Sequence, residues 1–167
     1  MPGNFQDFTL KIDGIKGESR GASTKDEIDL ESWTFGITQS GSFGSGGGGG
    51  VGKVQFQDIS FRARISCASP KLMDACASGK HIERAVLTCR KAGGRQEVFY
   101  TMTLSDVLVS AYDTGYSGVR SGELQMPIDQ FSLNFARIET AYGQQDSKGG
   151  VGAAIKSGWD LRKNVKI

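Results

Sequence analysis

The sequence predicts a mainly β fold: a closed or nearly closed β-barrel with one short α-helix at about residues 70–78. Three features lead there. Apolar residues alternate with polar ones at a period of two through most of the chain, the pattern of half-buried strands. That alternation slips phase twice in neighbouring segments, as β-bulges do in a strongly curved sheet. A single segment carries helical spacing between a start signal and a stop signal. The chain of 167 residues has the size of one domain, and residues 1–167 are read as one.

Phe8, Leu10 and Ile12 alternate with Thr9, Lys11 and Asp13, and Gly14-Ile15-Lys16-Gly17 ends that run. A second run covers residues 27–38 around Ile28, Leu30, Trp33, Phe35 and Ile37, with its slip between Leu30 and Trp33. Val54 and Phe56 give way to Ile59 and Phe61, with the other slip near Asp58. The helix should open on Ser69 as N-cap with Pro70 at the first helical position, where a missing N–H costs nothing. Leu72, Met73, Cys76 and Ala77 form its apolar stripe and Gly79 its stop. Strands resume at 85–90 and 97–104, joined by a hairpin turn at Ala92-Gly93-Gly94. Residues 107–112 read as strand or as a tight return, and 112–129 as a polar loop. Phe131, Leu133 and Phe135 open a strand that runs to Tyr142. After a loop at 144–152, Ile155, Trp159, Leu161, Val165 and Ile167 form a last strand. Eight or so strands with one helix favour a barrel.

Charge excludes several classes. Lys and Arg total 20 against 18 Asp and Glu, a formal net charge of +2. That balance argues against nucleic acid and against an anionic membrane surface as partners. The basic stretch Arg162-Lys163-Asn164-Val165-Lys166 reads as a solvated face. No window has the run of apolar residues that a membrane span needs, so no membrane insertion is expected. Residues 1–7 lack a basic region and an apolar core, so no cleavable signal peptide is expected, and any export takes another route. Cys67, Cys76 and Cys89 read as free thiols of a reducing compartment, and with His81 as the sole histidine no metal site is expected.

The segment from Gly44 to Lys53 satisfies two phosphate-loop patterns, but any glycine run does. Val54 follows Lys53, so no hydroxyl is placed to hold Mg²⁺, and residues 54–57 have strand alternation where a phosphate cradle needs a helix N-terminus. The alternative is a loop. Ordering glycines costs about 1–2 kcal/mol per residue in backbone entropy, with no side chain to offset it. A free linker and a loop ordered by a neighbouring subunit both fit. Gly46, Gly47, Gly48, Gly49, Gly50 and Val51 are the candidate self-assembly loop.

No catalytic constellation emerges. His81 has no carboxylate partner near it in sequence, no GxSxG elbow is present, and strand alternation puts Asp29 and Glu31 of the acidic cluster on a solvated face. The chain is read as no enzyme, with no cofactor. The competing readings are a ligand-binding, lectin-like β-sandwich with exposed aromatics and a nucleotide hydrolase using the glycine tract.

An ordered set of segments resembles the haemolysin-coregulated protein (Hcp) family. Lys16-Gly17-Glu18-Ser19, Trp33, Gln39-Ser40-Gly41-Ser42 and Gly52-Lys53-Val54 belong to it, as do Gln57-Asp58-Ile59-Ser60-Phe61 and Ser69-Pro70-Lys71-Leu72-Met73. Ser78-Gly79-Lys80-His81, Arg90-Lys91-Ala92-Gly93-Gly94, Leu133-Asn134-Phe135-Ala136 and Gly158-Trp159-Asp160-Leu161-Arg162 complete it. The resemblance implies a β-barrel with a helix, assembled as homohexameric rings that stack into the inner tube of a type VI secretion system. It also implies a sheath and a spike protein as partners, effector proteins in the lumen, and a subunit that is cytoplasmic when assembled and then secreted. Trp33 and Thr34 must point to opposite faces of their strand. With Trp33 in the core, Thr34 faces outward and is the candidate lumen-facing residue; an ordinary surface position fits the pattern equally.

Overall fold

A computed structural model describes residues 7–41, 51–91, 96–116, 126–148 and 150–167. In chain order the elements are β1 (Asp7–Ile12), β2 (Ile28–Thr34), β3 (Ile37–Gly41), β4 (Val51–Phe56), β5 (Ile59–Arg64), α1 (Ala68–Ser78), β6 (Ile82–Arg90), β7 (Val98–Gly115), β8 (Ile128–Gln145), β9 (Val151–Asp160) and β10 (Val165–Lys166). Six strands close into an antiparallel barrel in the order β8-β5-β2-β1-β6-β7 and back to β8. Strands β9 and β10 hang on β8 outside the barrel, and β3 and β4 form a separate hairpin.

The alternation predicts which residues fill the barrel. Leu10, Ile59, Ala85, Val107 and Leu133 have no exposed surface, and Phe61 and Phe131, opposite each other in register, stack at 5.3 Å. Cys89 is part of this core, and burial pushes its thiol up to about 11, which leaves it unreactive near neutral pH. Buried positions on β7 are Met102 and Leu104, then Val107 and Val109. The parity changes around Asp106, a non-glycine residue at φ 54. That left-handed residue swaps the inward face partway along the strand.

The bulge expected in the second run is present, as a register shift of β2 against β5 between Leu30 and Ser32. The slip near Asp58 is something else. Chain 51–56 belongs to the β3–β4 hairpin and chain 59–64 to the barrel, so the break in period marks a change of sheet. The Gln57 amide donates to the Gly36 carbonyl at 3.0 Å and closes the base of the hairpin. Residues 107–112 are strand: β7 is one element of 18 residues, with a register shift between Val109 and Ala111. The expected last strand divides into β9 and β10 because residues 161–164 turn, with Asn164 at φ 55. The expected turn at Ala92-Gly93-Gly94 lies outside the described residues.

The helix starts earlier than its proline suggests. Ser66 Oγ accepts from the Ala68 amide at 3.2 Å, while the Ser66 amide donates to Ser69 Oγ at 3.0 Å. This reciprocal pair is the capping box, so Ser69 is the returning partner and not the N-cap. The buried stripe is Ala68, Leu72 and Ala75, with Met73 and Ala77 exposed. Gly79, at φ 62, ends the helix as expected: its amide and that of Lys80 donate to Cys76 and Ala75 carbonyls in a Schellman arrangement.

Candidate assembly surfaces

Trp33 lies opposite Phe61 and points into the barrel, stacked on Tyr100 at 6.0 Å and edge-on to Phe8 at 6.5 Å. Thr34 is therefore on the outer face and is exposed. In register it heads a row Thr34–Ser60–Ser132–Ala111 across β2, β5, β8 and β7, and Ser60 and Ser132 share a hydrogen bond of 3.0 Å. The next row is Ser32–Arg62–Gln130–Asp113. The two rows border a shallow concavity of about 230 Å³. This face is polar, unlike the apolar face beneath it.

Among the described residues the same four strands have two open edges. β7 pairs with β6 only as far as Val107, so among the described residues its stretch 108–115 is paired on one side only, to β8. β2 pairs with β1 only from Ile28 to Leu30, so among the described residues its end at 32–34 is paired only to β5. The edges lie at opposite sides of one sheet. Because the strands alternate in direction, β7 of one copy set beside β2 of another would run antiparallel to it.

The β3–β4 hairpin is the arm that carries the glycine tract. Residues 37–41 are all exposed. Its base is seated by aromatics: Phe35 and Phe56 pack on Phe135 at 6.2 and 6.5 Å, and Phe56 on Trp159 at 6.4 Å. A Cβ at Gly52 would collide with the Ser40 carbonyl across the hairpin, so this strand position requires glycine. Gly46, Gly47, Gly48, Gly49 and Gly50 lie outside the described residues, and of Val51 only the backbone, at the start of β4, is described. Lys53 is mid-strand and exposed, with no helix following it.

His81 does have a carboxylate partner. Its Nε2 lies 3.1 Å from Asp106 Oδ1, and Arg162 Nη1 lies 3.2 Å from Asp106 Oδ2 as an ion pair. The three side chains tie the start of β6, the left-handed residue of β7 and the C-terminal turn together. No nucleophile is within this set. In the acidic cluster, Asp29 and Glu31 are exposed as expected, and Glu31 pairs with Arg64 at 3.3 Å. Both tryptophans are packed against other rings, so neither forms the open aromatic platform of a lectin-like site.

Three buried charged groups escape a reading of the sequence. Asp129, 1% exposed, accepts from Ser69 Oγ and from the Tyr112 hydroxyl, the latter at 3.0 Å. Arg90 is buried, donates to Thr9 Oγ1 at 2.7 Å and faces Glu27 at 4.0 Å. Asp160, at the end of β9, accepts from the Lys163 amide at 2.9 Å and lies 3.7 Å from Arg137. The Lys163 amide, with Arg137 adding to it, holds the Asp160 carboxyl below the usual aspartate range. A depressed carboxyl stabilises the fold above its unfolded pKa and loses that contribution as pH falls through the folded value. The stability difference between wild type and Asp160→Asn should therefore be constant near neutral pH and shrink below about pH 4. Urea unfolding between pH 7 and pH 2 measures it; a difference independent of pH would contradict the assignment.

The match to known proteins runs along the whole of this architecture. The family model described as "Type VI secretion system effector, Hcp" matches residues 9–142. The chain belongs to the Hcp family. A Pseudomonas aeruginosa relative named "Protein hcp1" is 46% identical over 162 residues, covering 96% of this chain and 98% of the relative. Among solved structures, Hcp1 from Salmonella typhimurium aligns with TM-score 0.77 at 33% identity, covering 97% of this chain and 99% of that one. A structure described as a type six secretion system protein aligns with TM-score 0.89 at 26% identity over 98% and 100% of the two chains. The Hcp barrel, its helix and its hairpin arm are thus those of a type VI secretion system protein.

Proposed function

We propose that this Hcp-family chain is the structural subunit of a type VI secretion tube, with hexameric rings as its unit and the rings stacked end on end. The observation that carries this reading is the pair of open edges on the β2-β5-β8-β7 sheet. They are two different faces of one subunit, antiparallel-compatible, and a contact between two different faces closes into a ring when its rotation allows. Edges left open in this way serve association. Joined around a ring, the sheets would turn one face inward, and the polar face bearing Thr34 is the one suited to a water-filled lumen through which effector proteins pass. The arm with residues 46–51 then reaches a neighbouring subunit, where buried contact offsets the entropy of ordering it. In this reading sheath and spike proteins are the outer partners, and the subunit assembles in the cytoplasm and leaves with the machine.

Light scattering after size exclusion tests the reading, with negative-stain micrographs of the same fractions. Rings with a central hole are expected, and a strictly monomeric species at tens of micromolar would sink it. Shortening residues 46–50 should weaken ring closure or stacking more than it lowers the melting temperature. A variant that melts early yet assembles normally would reject the role given to the loop.

A further inference from the structure

A groove of about 500 Å³ opens beside β2 at Ile28–Glu31, next to the open stretch at 32–34. Its walls carry Glu18, Asp29 and Glu31, and its apolar surface includes Ile65 and Met126, which are 37% and 50% exposed. Arg64 is the cation in the lining, and it is engaged by Glu31 at 3.3 Å. Three carboxylates against one guanidinium leave the groove negative, and two accessible apolar side chains leave it suited to something other than water.

The chain carries the complement elsewhere. The short edge strand β10 and the turn before it present Lys163 and Lys166, both exposed, and Val165 and Ile167, which are 45% and 42% exposed. Among the described residues β10 pairs only with β9, through Val165 opposite Asp160 and Lys166 opposite Trp159. Among the described residues Lys163 and Lys166 enter no ion pair. Lys163 in the turn and Lys166 on one face of the strand supply cations, and Val165 and Ile167 on its other face supply apolar surface, the chemistry that the groove lacks.

We infer that the groove receives the β10 segment of a second copy of this chain, with Lys163 and Lys166 against Asp29, Glu31 and Glu18, and Val165 and Ile167 over Ile65 and Met126. This rests on the self-association proposed above and adds a charged contact to it. Groove and segment are different surfaces, so the contact is head-to-tail, as ring and stack contacts are. Glu18 also accepts from the Cys67 amide at 2.9 Å, which places an exposed native thiol at the rim.

A charge swap tests the pairing. One variant carries Lys163→Glu and Lys166→Glu; the other carries Asp29→Lys and Glu31→Lys. Each alone should self-associate roughly tenfold or more weakly, because like charges then meet. An equimolar mixture should recover association, since each variant's segment suits the other's groove. Weakening in both variants without recovery in the mixture would overturn the pairing, as would wild-type association in either alone. Wild-type protein that stays monomeric would overturn the self-association reading itself, so the two failures are distinguishable. Should a swapped variant not fold, Lys166→Cys in a Cys76→Ala background replaces it. Mild oxidation should then link the introduced thiol to Cys67 of another copy, and disulfide-free assembled material would count against the contact.

Discussion

Arg90→Ala is expected to destabilise the fold by about 3–5 kcal/mol, the range for removing one partner of a buried ion pair. The side chains of Arg90 and Glu27 are 8% and 12% exposed. Their nearest approach is 4.0 Å, and among the described residues Glu27 Oε2 has no hydrogen-bond partner. The carboxylate is therefore held in place by proximity to the guanidinium more than by a direct bond. Without Arg90, Glu27 would be a buried charge with no compensation, and Thr9 Oγ1 would lose its donor. In a domain of this size the melting temperature should fall by roughly 10 °C or more. The proof is a second change: Glu27→Gln in an Arg90→Met background should restore most of the loss, because the pair then leaves no buried charge. Urea unfolding with an unchanged slope measures both. A loss below about 1 kcal/mol, the range of exposed pairs, would show that water reaches Glu27 in solution.

The barrel was legible in the sequence because alternation is a local signal. Leu10 and Ile12, Phe131 and Leu133, and the slip between Leu30 and Trp33 each report the pleat within a few residues of themselves. The slip near Asp58 was legible as a break but not as a change of sheet, since a departing hairpin and a bulge interrupt the period in the same way. The helix start was misplaced by one strong local rule, proline at the first position, when the capping hydroxyls of Ser66 and Ser69 override it. Thr34 followed from Trp33 by parity alone, and its outward direction is what parity gives. The open edges could not be read at all: that β6 stops pairing at Val107 while β8 continues past it depends on strands distant in sequence. The same holds for His81, whose carboxylate partner, Asp106, is supplied by another strand.

Asp129→Ala is expected to cost roughly 2–4 kcal/mol, from two hydrogen bonds to a charged acceptor less the relief of no longer burying that charge. Asp129 sits on β8 opposite Ala63 of β5 and Thr114 of β7, facing the inside of the barrel. One of its oxygens binds Ser69 in the first turn of α1 and the other binds Tyr112 of β7. Burial and the bond to Asp129 both push the Tyr112 hydroxyl up, which keeps it a donor throughout the physiological range. One carboxylate thus fastens the helix start to two barrel strands. Losing it should do more than lower global stability. Ser69 would be left as a buried hydroxyl without its acceptor, and Ser69 is also the returning half of the capping box. Amide exchange in residues 66–72 should therefore rise more than exchange in β6, where the barrel interior is untouched. Tyr112→Phe, which removes one of the two donors, should cost less and leave the helix start protected. If Asp129→Ala accelerated exchange uniformly, the carboxylate would be a general core contact, and the helix would be held to the barrel by Leu72 and Ala75 alone.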